Sequence, residues 1–157
     1  METLKRASKY FYFRFVRARS SPSEMARGIF IGLFVAFTPT FGVQSVSSVF
    51  LAAIFRGNKI LAGLAPFVTN PVTMPFFYGG TYLLGASLLQ NPIDYTFLSK
   101  PSLTGLWDAG SDIFRALWVG GIVVGFVVGL IGYFLTLVWG PKIQMRFARK
   151  GEIRSSD

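Results

Sequence analysis

The sequence has no cysteine and no histidine. Without cysteine there is no disulfide framework, no thiol nucleophile and no clue to the redox compartment. Without histidine, imidazole general-base chemistry and most transition-metal sites are closed to the chain. Acidic residues are scarce as well, 7 Asp+Glu against 16 Lys+Arg, for a net charge of +9. No carboxylate pair, metal-ligand set, nucleophile–base pair or phosphate-binding glycine loop in suitable context occurs. The chain is therefore read as a non-enzyme with no metal and no cofactor. Nor does any Asp, Glu, Lys or Arg fall in the middle of an apolar run, which argues against an ion-coupled carrier.

What the chain has instead is apolar mass. It is 52% hydrophobic and 17% aromatic over 157 residues, with mean hydropathy +0.49. The apolar residues stand in long blocks rather than alternating, which predicts an all-α integral membrane protein. The basic residues flank these blocks, where they suit anionic lipid headgroups and set topology, so nucleic acid is not read as a partner.

Residues 1–20 form a basic-aromatic segment, with Lys5, Arg6, Lys9, Arg14, Arg17 and Arg19 among Tyr10, Phe11, Tyr12, Phe13 and Phe15. On a helical wheel Leu4, Phe11, Tyr12 and Phe15 gather on one side and Arg6, Lys9, Arg14 and Arg17 on the other. Phe13 falls on the basic side, an imperfect split that is read as an amphipathic interfacial helix. The plainer reading is a flank that only orients the first span. No small-x-small site follows, so the first apolar run is not read as a removable signal.

Residues 21–140 are read as one membrane domain. Ser21-Pro22-Ser23-Glu24 spells a capping box with proline at the first helical position, which makes Glu24 a cap rather than a catalytic acid. Gly28, Gly32 and Ala36 then recur every four residues, a stripe that lets another helix approach closely. Pro39 and Gly42 break the run, and a second apolar helix follows from Val43 to Arg56, too short to cross a bilayer core. A further run from 60 to 89 is broken at Asn70-Pro71, with Pro75 just beyond. The last span, 116–139, carries Gly121, Gly125 and Gly129, and Gly140-Pro141 is expected to stop it. Residues 141–157 are read as a basic cytoplasmic tail, polar and mobile after Arg146.

Charge decides between a kinked span and a re-entrant hairpin over 22–56. Both ends of the chain are basic, as are Arg56 and Lys59. The connection 91–115 holds Asp94, Asp108 and Asp112 against Lys100 and Arg115. The positive-inside rule is met by a re-entrant hairpin (22–56), one broken span (60–89), an outer loop (91–115) and one plain span (116–139), with both termini cytoplasmic.

The motifs Ser21-Pro22, Gly28-x-x-x-Gly32-x-Phe34, Pro39-x-x-Gly42-x-Gln44, Arg56-x-Asn58 and Asn70-Pro71-x-Thr73-x-Pro75, followed by Tyr78, stand in that order. The chain resembles, from about Ser21 to its glycine-rich last span, a family of small bacterial membrane proteins known mainly as a domain of unknown function. The resemblance implies the bacterial cytoplasmic (inner) membrane. Some relatives are fused to glycosyltransferases, which implies a link to lipid-linked sugars or carrier lipids. It carries over no catalytic residues.

The two breaks are the candidate site. Helix starts near Gly42 and Asn70 offer free N–H groups to an anion. Thr38, Thr40, Gln44 and Ser45 line the first break, and Thr69, Asn70 and Thr73 the second. Pro39, Gly42, Pro71 and Pro75 make the breaks themselves. Irregular backbone cannot face lipid, so these residues either surround a polar pocket near the midplane or satisfy each other's broken backbones. Arg27, Arg56 and Lys59 near the cytoplasmic ends either gather a phosphate headgroup or snorkel. The leading function is binding or translocation of an amphipathic anion, such as a phosphorylated carrier lipid or phospholipid. The alternatives are a scaffold for an envelope-biosynthesis enzyme and an oligomeric channel. A homo-oligomer, most simply a dimer, is expected, because one chain provides little protein to enclose two breaks. The Gly121/Gly125/Gly129 face would permit the subunit contact or would pack against Gly28 and Gly32 within one chain.

Overall fold

The computed structural model describes residues 20–40, 42–70, 72–90 and 103–153. The expected interfacial helix over 1–20 lies outside the described residues but for Ser20, and Pro71 and 91–102 lie outside them too. Among the described residues the chain is all-helical, with five α-helices, one 3-10 turn and no strand.

Helix α1, Pro22–Phe37, starts as its sequence predicts. The Ser21 hydroxyl accepts from the Glu24 amide at 3.3 Å, and the Glu24 carboxylate accepts from the Ser21 amide at 2.8 Å. The helix ends because Pro39 pushes Thr38 out of helical space, to φ −83 and ψ 147. Gly42 turns the chain at φ 81, and α2 runs Gln44–Ile54. Its end is a Schellman turn, with the Gly57 amide donating to the Ala52 carbonyl at 2.8 Å. Asn58 then caps α3, Lys59–Leu64, by accepting from the Ile60 and Leu61 amides, both at 3.0 Å.

The 22–56 segment is a hairpin that returns to its origin. The Asn58 amide donates to the Glu24 carbonyl at 2.8 Å, and the Asn58 side chain donates to the Ser20 hydroxyl at 2.8 Å. From there α3 descends along α1, runs into the 3-10 turn Ala65–Val68, and is interrupted before α4, Met74–Leu88. The break expected in the 60–89 run is therefore present.

Helix α5, Leu103–Ile153, is 51 residues long, and it corrects two expectations. Leu103 to Arg115 is helical rather than loop, continuing an apolar rhythm at Leu103, Leu106, Trp107 and Phe114 that the charge count obscured. Gly140-Pro141 does not stop the helix, because Pro141 sits inside it. Proline removes one hydrogen bond, but the following Lys-Ile-Gln-Met-Arg-Phe-Ala run is rich in strong helix formers that carry the helix to Ile153. The tail expected from 141 onward is thus helical through Ile153.

Helix α1 sits between its neighbours and meets them through glycine. A methyl group added at Gly28 would strike the Asn58 backbone, and one at Gly32 would strike Ala62 and Ala65. That is the α3 side. On the other side Gly121, Gly125 and Gly129 of α5 lie against Phe37, Phe34 and Phe30, so the two helices run antiparallel. Helix α4 docks on α5 the same way, with Gly120 against the Thr81 carbonyl and Gly85 against the Ala116 carbonyl. The α5 glycine face, expected to serve subunit contact, is occupied within the chain. The buried interior is mostly small residues, including Ala26, Ala36, Ala52 and Ala62, while Phe50, Phe67, Phe76, Phe134 and Trp139 are exposed.

Candidate functional site

The breaks do meet, and Gln44 joins them. Its amide nitrogen donates toward the Ala36 and Thr38 carbonyls, each at 3.3 Å, and to the Tyr78 hydroxyl at 2.6 Å. The Tyr78 hydroxyl lies 3.0 Å from the same two carbonyls, to which it can donate. Thr69 donates to the Pro66 carbonyl at 2.9 Å and reaches the Gln44 amide oxygen at 3.5 Å. The Ala36 and Thr38 carbonyls at the end of α1, the latter also accepting from the Thr40 amide at 2.8 Å, are thus met by side chains from α2 and α4. Thr38 closes its own turn by donating to the Val35 carbonyl at 2.8 Å, and its hydroxyl lies 3.2 Å from that of Thr40.

Of the expected site residues, Thr38, Thr40, Gln44 and Thr69 are brought into this junction, beside Pro39 and Gly42. Ser45 is half-buried and makes no hydrogen bond there. Asn70 and Thr73 close a turn of their own. The Asn70 side-chain oxygen accepts from the Val72 and Thr73 amides at 2.9 and 3.1 Å, and the Thr73 hydroxyl accepts from the Asn70 amide at 3.0 Å. The Thr73 hydroxyl also lies 2.7 Å from the Val68 carbonyl. Pro75 lies in the first turn of α4. The second break turns to its own backbone, and of its polar residues only Thr69 reaches the first. Tyr78 is the junction residue that the sequence reading left out of the site. A phenol inside an apolar run needs a partner for its hydroxyl, and that was the available signal.

A concavity lies elsewhere among the described residues, over another face of α1. A groove of about 700 Å³ has Arg27, Phe30, Ile31 and Phe34 as its floor, residues that fall on one face of α1 at helical spacing. Leu51 and Phe55 of α2 form one wall, and Phe126, Leu130, Tyr133 and Phe134 of α5 the other. Its lining is apolar except at the Arg27 end. Arg27 donates to the Ser23 carbonyl at 3.3 Å and has no acidic partner among the described residues. Arg56 and Lys59 are exposed at the same end of the molecule. Of the groove's lining residues Arg27 alone is a site candidate from sequence, and Phe34 enters only through the family motif, because aromatic residues on an apolar helix carry no signal separating groove from packing.

Fold and groove together define a class: among the described residues, an all-helical protein with discontinuous helices and one helix, 110–142, long and apolar enough to cross a membrane. The chain belongs to the bacterial family described as uncharacterized protein conserved in bacteria (DUF2062), whose pattern matches residues 5–148. No curated protein and no solved structure matches it.

Proposed function

We propose that the protein is a multi-pass protein of the bacterial inner membrane that binds an amphipathic anion, with the apolar part in the α1–α2–α5 groove and the charge at Arg27. The groove carries this reading: an apolar trough about 700 Å³ in volume with an arginine at one end. That volume is within the range of small-molecule sites. An arginine without a carboxylate partner among the described residues, beside an apolar surface, matches a ligand that is itself apolar with an anionic end.

Several features support membrane immersion of more than α5. Large apolar side chains face outward while small ones fill the interior, the reverse of a water-soluble core. The α1–α2 hairpin returns to the end where Arg27, Arg56 and Lys59 gather, which suits a re-entrant pair opening to the cytoplasm. Phe37 meets Gly121, six or seven residues from the middle of the 116–139 stretch. The junction would then sit about 10 Å outside the midplane, toward the far leaflet.

In this reading the junction is structural, since its polar groups satisfy one another, and the ligand site moves from the breaks to the groove. The channel reading draws no support from a junction filled by Gln44 and Tyr78, and no geometry favours the scaffold reading. No reaction is assigned. Native mass spectrometry of the full chain from a mild detergent tests the reading. The expected result is a retained phosphate-bearing lipid on the wild type and its loss from Arg27→Gln. Equal lipid retention by both, or none by either, would sink it.

A further inference from the structure

Arg56 occupies a position that sequences ordinarily give to glycine. It is the residue just past the end of α2, at φ 52, inside the Schellman turn closed by the Gly57-to-Ala52 hydrogen bond. A residue with a Cβ is strained in this left-handed conformation, and glycine is not. Glycine is present one residue later, where a different constraint holds it. A methyl group at Gly57 would come within 3.0 Å of the Gly28 amide nitrogen and 3.3 Å of the Arg27 carbonyl carbon. The turn is therefore pressed against α1 at Arg27. Phe55, immediately before Arg56, is part of the groove wall, and Arg27 is part of its floor. Strain retained at such a corner points to what the side chain does.

The charges around this corner do not cancel. Glu24 is the acidic residue on the first turn of α1, and its carboxylate accepts from the Ser21 amide. Lys59 adds a third cation at the start of α3. The far side of the groove, Phe126 to Phe134, brings no charged residue.

We propose that Arg56 joins Arg27 in holding the phosphate of the bound amphiphile, and that the pair favours a terminal phosphate monoester over a phosphodiester. This rests on the amphiphile reading above. A monoester carries close to two negative charges at neutral pH and a diester carries one. Two guanidinium forks match the first, and one suffices for the second. The segment 1–20 that precedes this corner in sequence brings six further cations, whereas the uncancelled charge of the corner suits an anion.

The test compares dioleoyl phosphatidic acid, dioleoyl phosphatidylglycerol and dioleoylglycerol on the full-length protein in mild detergent, by native mass spectrometry and thermal shift. Wild type is expected to bind phosphatidic acid roughly tenfold more tightly than phosphatidylglycerol at pH 7.5. The preference should shrink toward parity at pH 5, where the monoester has taken up one proton and carries a single negative charge like the diester. Arg56→Gly is expected to raise the lipid-free melting temperature by removing strain, to abolish the preference, and to keep phosphatidylglycerol binding through Arg27. Arg56→Lys should restore part of the preference. An undiminished preference in Arg56→Gly, or a fall in its lipid-free melting temperature, overturns the role of Arg56 and leaves the groove reading intact. If wild type binds neither phospholipid better than dioleoylglycerol, the amphiphile reading falls first.

Discussion

Tyr78 and Ser48 are both buried hydroxyl-bearing residues in apolar helices, yet they make opposite predictions. The Tyr78 hydroxyl sits among Gln44 and two helix-end carbonyls, so Tyr78→Phe leaves those groups short of a partner where water cannot replace it. A cost of about 1–3 kcal/mol follows, or roughly 2–12 °C in melting temperature for a chain of this size. Ser48 is fully buried with its hydroxyl unpartnered, so Ser48→Ala should be neutral or slightly stabilising. Thermal unfolding of both variants in one detergent checks the pair, and an equal loss in both would refute the assignment of roles. Gln44 was legible in the sequence as a polar residue at a break. Its partner was not, because which of several aromatic residues lands on a particular carbonyl is settled by the packing of α4 on α5.

Local chemistry made the element starts readable. Ser21-Pro22-Ser23-Glu24 and Asn70-Pro71-Val72-Thr73 share one pattern, a polar side chain followed three residues later by one that reaches back. Only the first opens a helix: the second closes a turn ahead of α4, which starts at Met74 without a side-chain cap. In both segments the reciprocal hydrogen bonds are present. Asn70→Ala and Thr73→Ala should each cost roughly 1 kcal/mol. Because the two side chains serve one turn, the double variant should cost clearly less than the sum of the singles. A strictly additive cycle, read from melting temperatures, would mean that the turn is held by something else. The element ends were harder to read. Pro39 stopped its helix because Gly42 and a polar turn follow, whereas Pro141 did not stop α5, because helix formers resume at once. A proline's effect depends on what comes after it. The acidic 103–115 stretch hid its helix for a related reason, since a count of charges is blind to the spacing of apolar residues.

At the scale of the whole molecule, the hairpin and the broken run predict opposite exposure for Lys59 and Ser87, which lie near the two ends of the α3–α4 path. Single cysteines from Lys59→Cys and Ser87→Cys should react with impermeant reagents from opposite sides of the membrane, and labelling from one side would exclude the proposed topology. The arrangement of the glycines leads to the last prediction. A dimer was expected because two irregular breaks need enclosing, and the α5 glycines looked suited to a second copy. The first break is instead enclosed by Gln44, Thr69 and Tyr78 of the same chain, and Gly125 faces the Phe34 backbone of α1. Leucine at 125 would have to displace that backbone, parting α1 from α5 and opening the groove between them. Overpacking of a close helix contact costs 1–3 kcal/mol or more, and here it also removes the neighbouring glycine contacts that depend on the same approach. Gly125→Leu should therefore yield a poorly folded, aggregation-prone protein, whatever the oligomeric state of the wild type. A comparable leucine at Gly79, which has open space around it, should fold normally. Size-exclusion profiles and melting curves in mild detergent separate the cases. A well-folded Gly125→Leu that differs from wild type only in running as a smaller species would return the α5 glycine face to an intersubunit role.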